Sequence, residues 1–499
     1  MRFPRSSGIL LHPTSLPGAY GCGDLGDVSH HFIDWLAVAG QGLWQVLPLE
    51  PTGYGNSPYM ALSAFAGNPL LIGFDDLLAC GLLTREELLP VPSVSPSRVD
   101  FTQIVPYRMQ WLRLASERFF AREHPVENQE FEAFCSAEKH WLDDFSLFQG
   151  LNVRFGGVVW TEWDPDHALR KPKILERARR ELSNEIRFWK WTQWEFFRQW
   201  GRVKRYANEK GIRIVGDIPI FIAHHSADVW SHPELYFLDD RGNPLVVAGV
   251  PPDYFSATGQ RWGNPLYRWD VMEQQQYRWW IERFRRTLTL VDITRIDHFR
   301  GFIEYWEIPS SEKTAVKGRW VEGPKEKLFQ AVQKKLGKLP IIAEDLGIIT
   351  PDVTKLREKF AFPGMKVLHF AFAEGPENNF LPHHYESNCV VYTGTHDNDT
   401  TQGWYDKAKE PERDFVRRYC STDAREIHWD LIGLASGSAA DLAIFPFQDI
   451  LGLGSEGRMN FPGTAMGNWD WRFSWDQVGP EHATRIHELS ALFGRVPER

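Results

Sequence analysis

Short apolar runs that stop abruptly at Gly, Pro or a charged group recur along the whole chain. In order they are residues 8–12 (GILLH), 44–49 (WQVLPL), 212–217 (IRIVGD), 292–297 (DITRID), 340–345 (PIIAED), 365–372 (MKVLHFAF), 389–397 (CVVYTGTHD) and 442–449 (LAIFPFQD). They are nearly continuous in apolar residues rather than alternating, which is the pattern of strands buried on both faces. Between them lie helical patterns at 30–40, 326–337 and 350–359, the last opening on Thr350 as a cap and Pro351 at the first helical position. Eight strands alternating with helices predict a parallel α/β sheet closed into a (β/α)8 barrel. A doubly wound open sheet is the alternative. No Gly-rich phosphate loop follows a strand, which lowers that reading.

The spacing is uneven. More than 160 residues separate the second and third runs, and about 75 the third and fourth. The chain therefore reads as one catalytic barrel over residues 1–499, with an insertion subdomain at 50–210 and a second insertion at 235–285 carrying an active-site loop. The first insertion holds Pro-rich punctuation at 90–98 and an aromatic helical pattern at 184–211. Those aromatics are expected to pack a core rather than to form a sugar platform. The second holds "VVAGVPPDYFSATGQRWGNPLYRW" at 246–269, dense in Gly, Pro and aromatics. With few helix or strand signals, it is expected to be a loop folded over a site.

Composition narrows the partners. Net charge is -9, which argues against a general nucleic-acid binder. No stretch reaches the roughly 20 apolar residues that span a bilayer. The apolar run near the N-terminus, Gly8 to Leu11, is too short for a signal peptide. Five scattered cysteines form no C-x-x-C pair, which suits reduced thiols and a cytoplasmic location. HEKxxH-like zinc spacing is absent, and adjacent His224 and His225 read as a plain loop before a metal site. The 22 Trp and 14% aromatic content exceed what a core needs, so carbohydrate enters as a candidate ligand.

In such a barrel the C-terminal strand ends form the active face. Those ends supply Asp217, Arg295 with Asp297, Glu344 with Asp345, and His396 with Asp397. Any one of them could be a salt bridge or cap. As a set, four acidic strand ends around one mouth repel one another unless the chemistry uses them. The period of two in the fourth run puts Arg295 beside Asp297. A neighbouring guanidinium is expected to lower that carboxylate's pKa and keep it ionised, as a nucleophile requires. Glu344, among other carboxylates after an apolar run, is expected to be raised, as a general acid requires. Two carboxylates with separated pKa values can cleave a glycosidic bond.

The blocks "LLHPTSLPG", "WQVLPLEPTGYGNSPY", "GDIPIF", "GVPPDYFSATGQRWGNPLYRW", "RIDHFRGF", "AEDLG", "PGMKVL", "YTGTHDNDT" and "GSEGRMNFPG" resemble the amylomaltases, 4-α-glucanotransferases related to the α-amylase clan. The resemblance runs from residue 8 to about 473 and matches the short form, without an N-terminal extension or a C-terminal β-domain. It implies Asp297 as nucleophile, Glu344 as acid/base and Asp397 as the carboxylate that holds sugar hydroxyls. It implies contacts to the cleaved sugar from Asp217, Arg295, His298, His396 and Asn460. Tyr59 matches a stacking platform with Ser57 close by, Asp253 and Trp262 belong to the acceptor-side cover, and Tyr54 matches a second glucan contact. Asp399 is expected to be structural. The sequence departs from the family at His224 and His225, where acidic residues are expected.

The implied reaction is transfer of α-1,4-glucan segments among maltooligosaccharides, amylose or starch-derived glucans by double displacement, with no metal or organic cofactor and no nucleic-acid or membrane partner. A retaining α-glucan hydrolase would use the same carboxylates with water as acceptor. A catalytically silent glucan-binding protein would be expected to have lost one of them.

Overall fold

The structure, a computed structural model, describes residues 2–497 apart from 93–94, 123–124, 253–255 and 465. Each of the eight apolar runs carries a strand: β1 Ser6–Leu10, β2 Leu43–Gln45, β3 Arg213–Pro219, β4 Ile293–Asp297, β5 Ile341–Ala343, β6 Gly364–Val367, β7 Cys389–Tyr392 and β8 Leu442–Pro446. They form one parallel sheet in the order β6-β7-β8-β1-β2-β3-β4-β5.

No ladder of described residues joins the two ends of that order. Instead the Ala343 N–H donates to the Pro363 carbonyl at 2.9 Å. The Asp345 carboxylate accepts from the Met365 N–H at 2.7 Å. These bonds close a (β/α)8 barrel. Gly364 makes room for them, since a Cβ there would stand 2.4 Å from the Asp345 carboxylate.

Several strands are shorter than the runs that contain them. The sixth run turns into a 3-10 helix, Leu368–Phe370, and the eighth into a helix, Phe447–Ile450. At the rim, buried side chains replace the ladder. Asp449 accepts from the Thr401 N–H at 2.7 Å and from the Thr393 hydroxyl at 2.6 Å. The helices predicted at 30–40, 326–337 and 350–359 form as Asp27–Val38, Glu326–Leu336 and Pro351–Lys359. Thr350 holds the N-cap position, but its side chain makes no capping hydrogen bond.

Residues 50–210 hold a helical layer that includes Phe101–Ala121, Lys139–Arg154 and Ser183–Glu209. The last buries Trp191, Trp194, Phe196 and Trp200. Trp200 donates its indole N–H to the Leu290 carbonyl at 2.8 Å, on the helix that precedes β4. These aromatics are core, as their helical spacing predicts. His224 and His225 tie the loop after β3 to neighbouring segments. The His224 Nε2 lies 2.8 Å from the Gly242 carbonyl, and the two nitrogens of His225 meet the Trp160 N–H and the Asn152 Oδ1.

The stretch at 246–269 overturns one expectation. It is not an irregular loop: strands Val246–Val250 and Gln260–Pro265 pair antiparallel, and Glu304–Pro309 and Arg319–Glu322 extend them into a four-stranded sheet. One of the glycines that hid the strands is what the pairing needs. A Cβ on Gly249 would lie 2.2 Å from the Gln260 carbonyl oxygen, and the register shifts beside it.

Arg108, fully buried on the Phe101–Ala121 helix, donates to Asp24 at 3.1 Å and to the Ile72 carbonyl, tying the helical layer to the barrel. Arg108→Met leaves the Asp24 carboxylate buried without its cation. The variant is expected to lose about 3–5 kcal/mol in urea unfolding. An unchanged midpoint would show that the two layers hold without this pair.

Candidate active site

The carboxylates meet at the C-terminal mouth of the barrel. Asp217 and Arg295 are registered neighbours on β3 and β4. Their side chains are buried, and Arg295 Nη1 donates to Asp217 Oδ2 at 2.5 Å. The other nitrogen, Nη2, reaches Asp297 Oδ1 at 3.0 Å. Arg295 Nε lies 3.4 Å from the Met365 sulfur, so the guanidinium is held on three sides.

Glu344 follows β5. The last registered pair of β4 and β5 is Ile296 with Ala343, so Asp297 and Glu344 are the next residues on adjacent strands. His298 adopts a left-handed backbone (φ 54°), a conformation that histidine tolerates better than most. That turn aims its main-chain N–H at Glu344 Oε2, 2.7 Å away. The Leu346 N–H donates to Oε1 at 2.8 Å. The loop after the Asp297 strand therefore fixes the Glu344 carboxyl.

Burial pushes Glu344 up to about 7, and the negative charge of Asp297 adds to the rise; Arg295 and the two main-chain N–H groups oppose it. Asp297 is also raised. Burial among packed groups is the largest cause, Arg295 pulls it down, and Asp217 and Asp397 push it up. The sequence expectation of a lowered value is thus corrected: one guanidinium does not offset desolvation plus two more carboxylates. Arg295 donates to Asp297 and not to Glu344, so when one proton is shared between the two, the ionised member is Asp297.

The other side of the mouth is aromatic. The Tyr59 hydroxyl donates to Asp217 Oδ2 at 2.8 Å. Its ring stacks on His396 with centroids 5.0 Å apart. His396 Nε2 lies 3.4 Å from Asp397 Oδ1. That carboxylate, exposed to the opening, also accepts from Asn460 Nδ2 at 2.6 Å. Ser57 sits two residues before Tyr59 and accepts its N–H at 3.3 Å. Trp262, on the Gln260–Pro265 strand, meets the His298 ring edge-on at 4.9 Å. Burial lowers His298 to about 3, so its ring is neutral.

The structure thus brings Ser57, Tyr59, Asp217, Trp262, Arg295, Asp297, His298, Glu344, His396, Asp397 and Asn460 to one mouth. Tyr54 stands apart on the exposed turn of the same loop. Asp253 lies outside the described residues. Asp399 points elsewhere, toward Lys407 and Ser455.

Two residues at the site escape sequence reasoning. Trp469 tilts against both Tyr59 and His396, at 5.7 and 5.9 Å. Arg458 donates through Nη2 to the Asp397 carbonyl and through Nε to the Asn460 carbonyl, both at 2.7 Å, with its guanidinium over the Phe461 ring at 4.1 Å. The only signal for Arg458 was its place two positions before Asn460 in the block "GSEGRMNFPG".

This fold and this set of carboxylates define a (β/α)8-barrel enzyme equipped for acid–base work on a glycosidic bond. A family model described as 4-alpha-glucanotransferase matches residues 11–477. The chain belongs to that family. The 4-alpha-glucanotransferase of Thermus thermophilus is 50% identical over 504 residues, covering 99% of this chain and 100% of the relative. That of Synechocystis sp. is 51% identical over 495 residues, covering 98% of each. The solved amylomaltase of Streptococcus agalactiae, in complex with acarbose, superposes with a TM-score of 0.96 at 36% identity, over 99% of this chain and 100% of that one.

Asp297→Asn removes the charge that contributes to the raised pKa of Glu344. The glutamate is expected to titrate below its value of about 7 in that variant, read by isotope-edited carboxyl infrared or carbon NMR. Identical titrations in the two proteins would show that burial alone sets the value.

Proposed function

We propose that the protein transfers α-1,4-glucan segments between maltooligosaccharides by a retaining double displacement through a covalent glycosyl-enzyme. One observation carries the reading: Arg295 donates to Asp297, while the adjacent Glu344 is raised to about 7 and held by main-chain N–H groups. Glu344 protonates the glycosidic oxygen as the Asp297 carboxylate attacks the anomeric carbon. The reducing-end fragment leaves and an ester remains. Forming the ester removes the negative charge beside Glu344, so its pKa falls and it becomes a base. It then takes the proton of an acceptor's 4-hydroxyl, which attacks the anomeric carbon and frees Asp297. Two inversions give net retention.

Asp397, oriented by His396, Asn460 and Arg458, binds hydroxyls of the reacting sugar. Tyr59 supplies the face beneath that sugar. Trp262 and the hairpin that carries it cover the acceptor side and exclude water, which favours a sugar acceptor over hydrolysis. The natural substrates in this reading are maltooligosaccharides, amylose and starch-derived glucans, met in the cytoplasm. The helical layer at 50–210 and the insertion at 235–285 act as walls of one catalytic unit. No helix among the described residues is long and apolar enough to cross a membrane.

Maltotriose incubated alone with the protein is expected to give glucose and longer oligomers together, without net growth in reducing ends. Reducing ends that rise with substrate loss would identify a hydrolase.

Glu344→Gln tests the acid. The wild-type kcat/KM on natural glucans is expected to fall above pH about 7, as Glu344 loses its proton. With an α-glucosyl fluoride donor, which leaves without protonation, Glu344→Gln should still form the intermediate, lack that alkaline limb and accumulate a glycosyl adduct on Asp297 visible by mass spectrometry. Equal loss on both donors with no adduct would move the acid to another residue.

A further inference from the structure

Of the Phe, Tyr and Trp side chains among the described residues, four are well exposed: Tyr54 (75%), Trp320 (37%), Phe370 (37%) and Phe461 (40%). They do not scatter over the surface. Tyr54 follows β2, Trp320 lies between β4 and β5, Phe370 follows β6, and Phe461 follows β8. All four sit on connections that leave the C-terminal ends of alternate strands. Those connections all start from the face that carries the carboxylates, at every second strand. Exposed aromatic rings are costly to hydrate, and flat rings facing water at a sugar-binding mouth have an obvious use as stacking surfaces.

Trp320 is the best placed of them. The Arg300 guanidinium carbon lies 3.9 Å from its ring centroid, which fixes one face of the indole. Trp306, its cross-strand partner, meets it edge-on at 5.1 Å. Arg300 follows β4, and its Nη1 donates to the Ile348 carbonyl at 2.8 Å, four residues past Glu344. A stack of Trp320, Arg300 and Ile348 thus runs outward from the loop that bears the acid/base. The departing or arriving glucan passes Glu344, because that carboxyl exchanges its proton with the glycosidic oxygen.

We propose that Trp320 is an outlying sugar platform for the acceptor-side segment of long α-glucans, used when the chain extends several units beyond the bond being exchanged. The proposal rests on the transfer reading for the direction in which the chain runs. Trp320 touches none of the reacting atoms, so its effect should grow with chain length.

The test compares maltose with maltoheptaose. Both are titrated calorimetrically into Asp297→Asn protein, which lacks the nucleophile and cannot turn them over, alone and carrying Trp320→Ala or Trp320→Phe, with melting curves recorded beside them. The ratio of maltoheptaose affinity to maltose affinity is expected to drop roughly five- to tenfold in Trp320→Ala, the worth of one aromatic contact. Trp320→Phe should recover most of it. An unchanged ratio overturns the platform, including the case in which both sugars weaken together with a lowered melting temperature, which would make Trp320 only a cover for Arg300. Binding is read here without turnover. A wild-type protein that fails to disproportionate maltotriose would defeat the transfer reading, while a lowered affinity ratio in Trp320→Ala would still establish the sugar contact.

Discussion

A single buried guanidinium, Arg295, stands between two carboxylates that could not otherwise share the floor of the mouth. It donates to Asp217 at 2.5 Å and to Asp297 at 3.0 Å. Without it, two negative charges on adjacent strands would face each other uncompensated in a poorly solvated space. With it, Asp217 becomes an anchor for the Tyr59 hydroxyl, Tyr59 stacks on His396, and His396 lies against Asp397. Asn460 and Arg458 complete the line from the C-terminal loops. The order of the mouth therefore propagates from β4 around the rim through contacts of 2.5 to 5.0 Å.

The small antiparallel sheet gives the cover over the mouth a definite character. Trp262 sits on a paired strand, and its ring abuts His298, the residue whose backbone turn holds Glu344. The cover and the acid are thus positioned by one residue. A strand in a four-stranded sheet fixes a side chain more closely than a free loop does, so the water exclusion proposed for Trp262 would come from standing shape.

The barrel was legible in the sequence because strands buried on both faces are written as continuous apolar runs. The mouth was legible because four of the runs end in acids, at Asp217, Asp297, Glu344 and Asp397, and the C-terminal ends of a parallel barrel share a face. What escaped has physical reasons. The strands at Val246–Val250 and Gln260–Pro265 are masked by the surrounding glycines and prolines, of which Gly249 is required by the close approach of the Gln260 carbonyl. The upward direction of Asp297 depends on how deeply it is set and on two carboxylates, Asp217 and Asp397, brought in from β3 and from the loop after β7, none of which is local in sequence. Arg458 and Trp469 reach the site from loops after β8, where no periodic pattern exists to show which way a side chain turns. Thr350 illustrates the converse, since a capping position was readable but the bond was not made.

The seam between β5 and β6 has a mechanical consequence. Glu344 follows the β4–β5 ladder directly, its N–H donating to the Ile296 carbonyl at 3.0 Å, and its carboxyl is held by the His298 loop, but toward β6 the wall is held by a side-chain carboxylate and one main-chain bond. The barrel is therefore stiff on the side where the two catalytic candidates must keep their spacing and more compliant on the side where β6 leads out to Phe370. In the proposed reading, strain from a glucan at that rim would be taken up along the seam before it reached the pair of carboxylates, much as an expansion joint spares the masonry beside it.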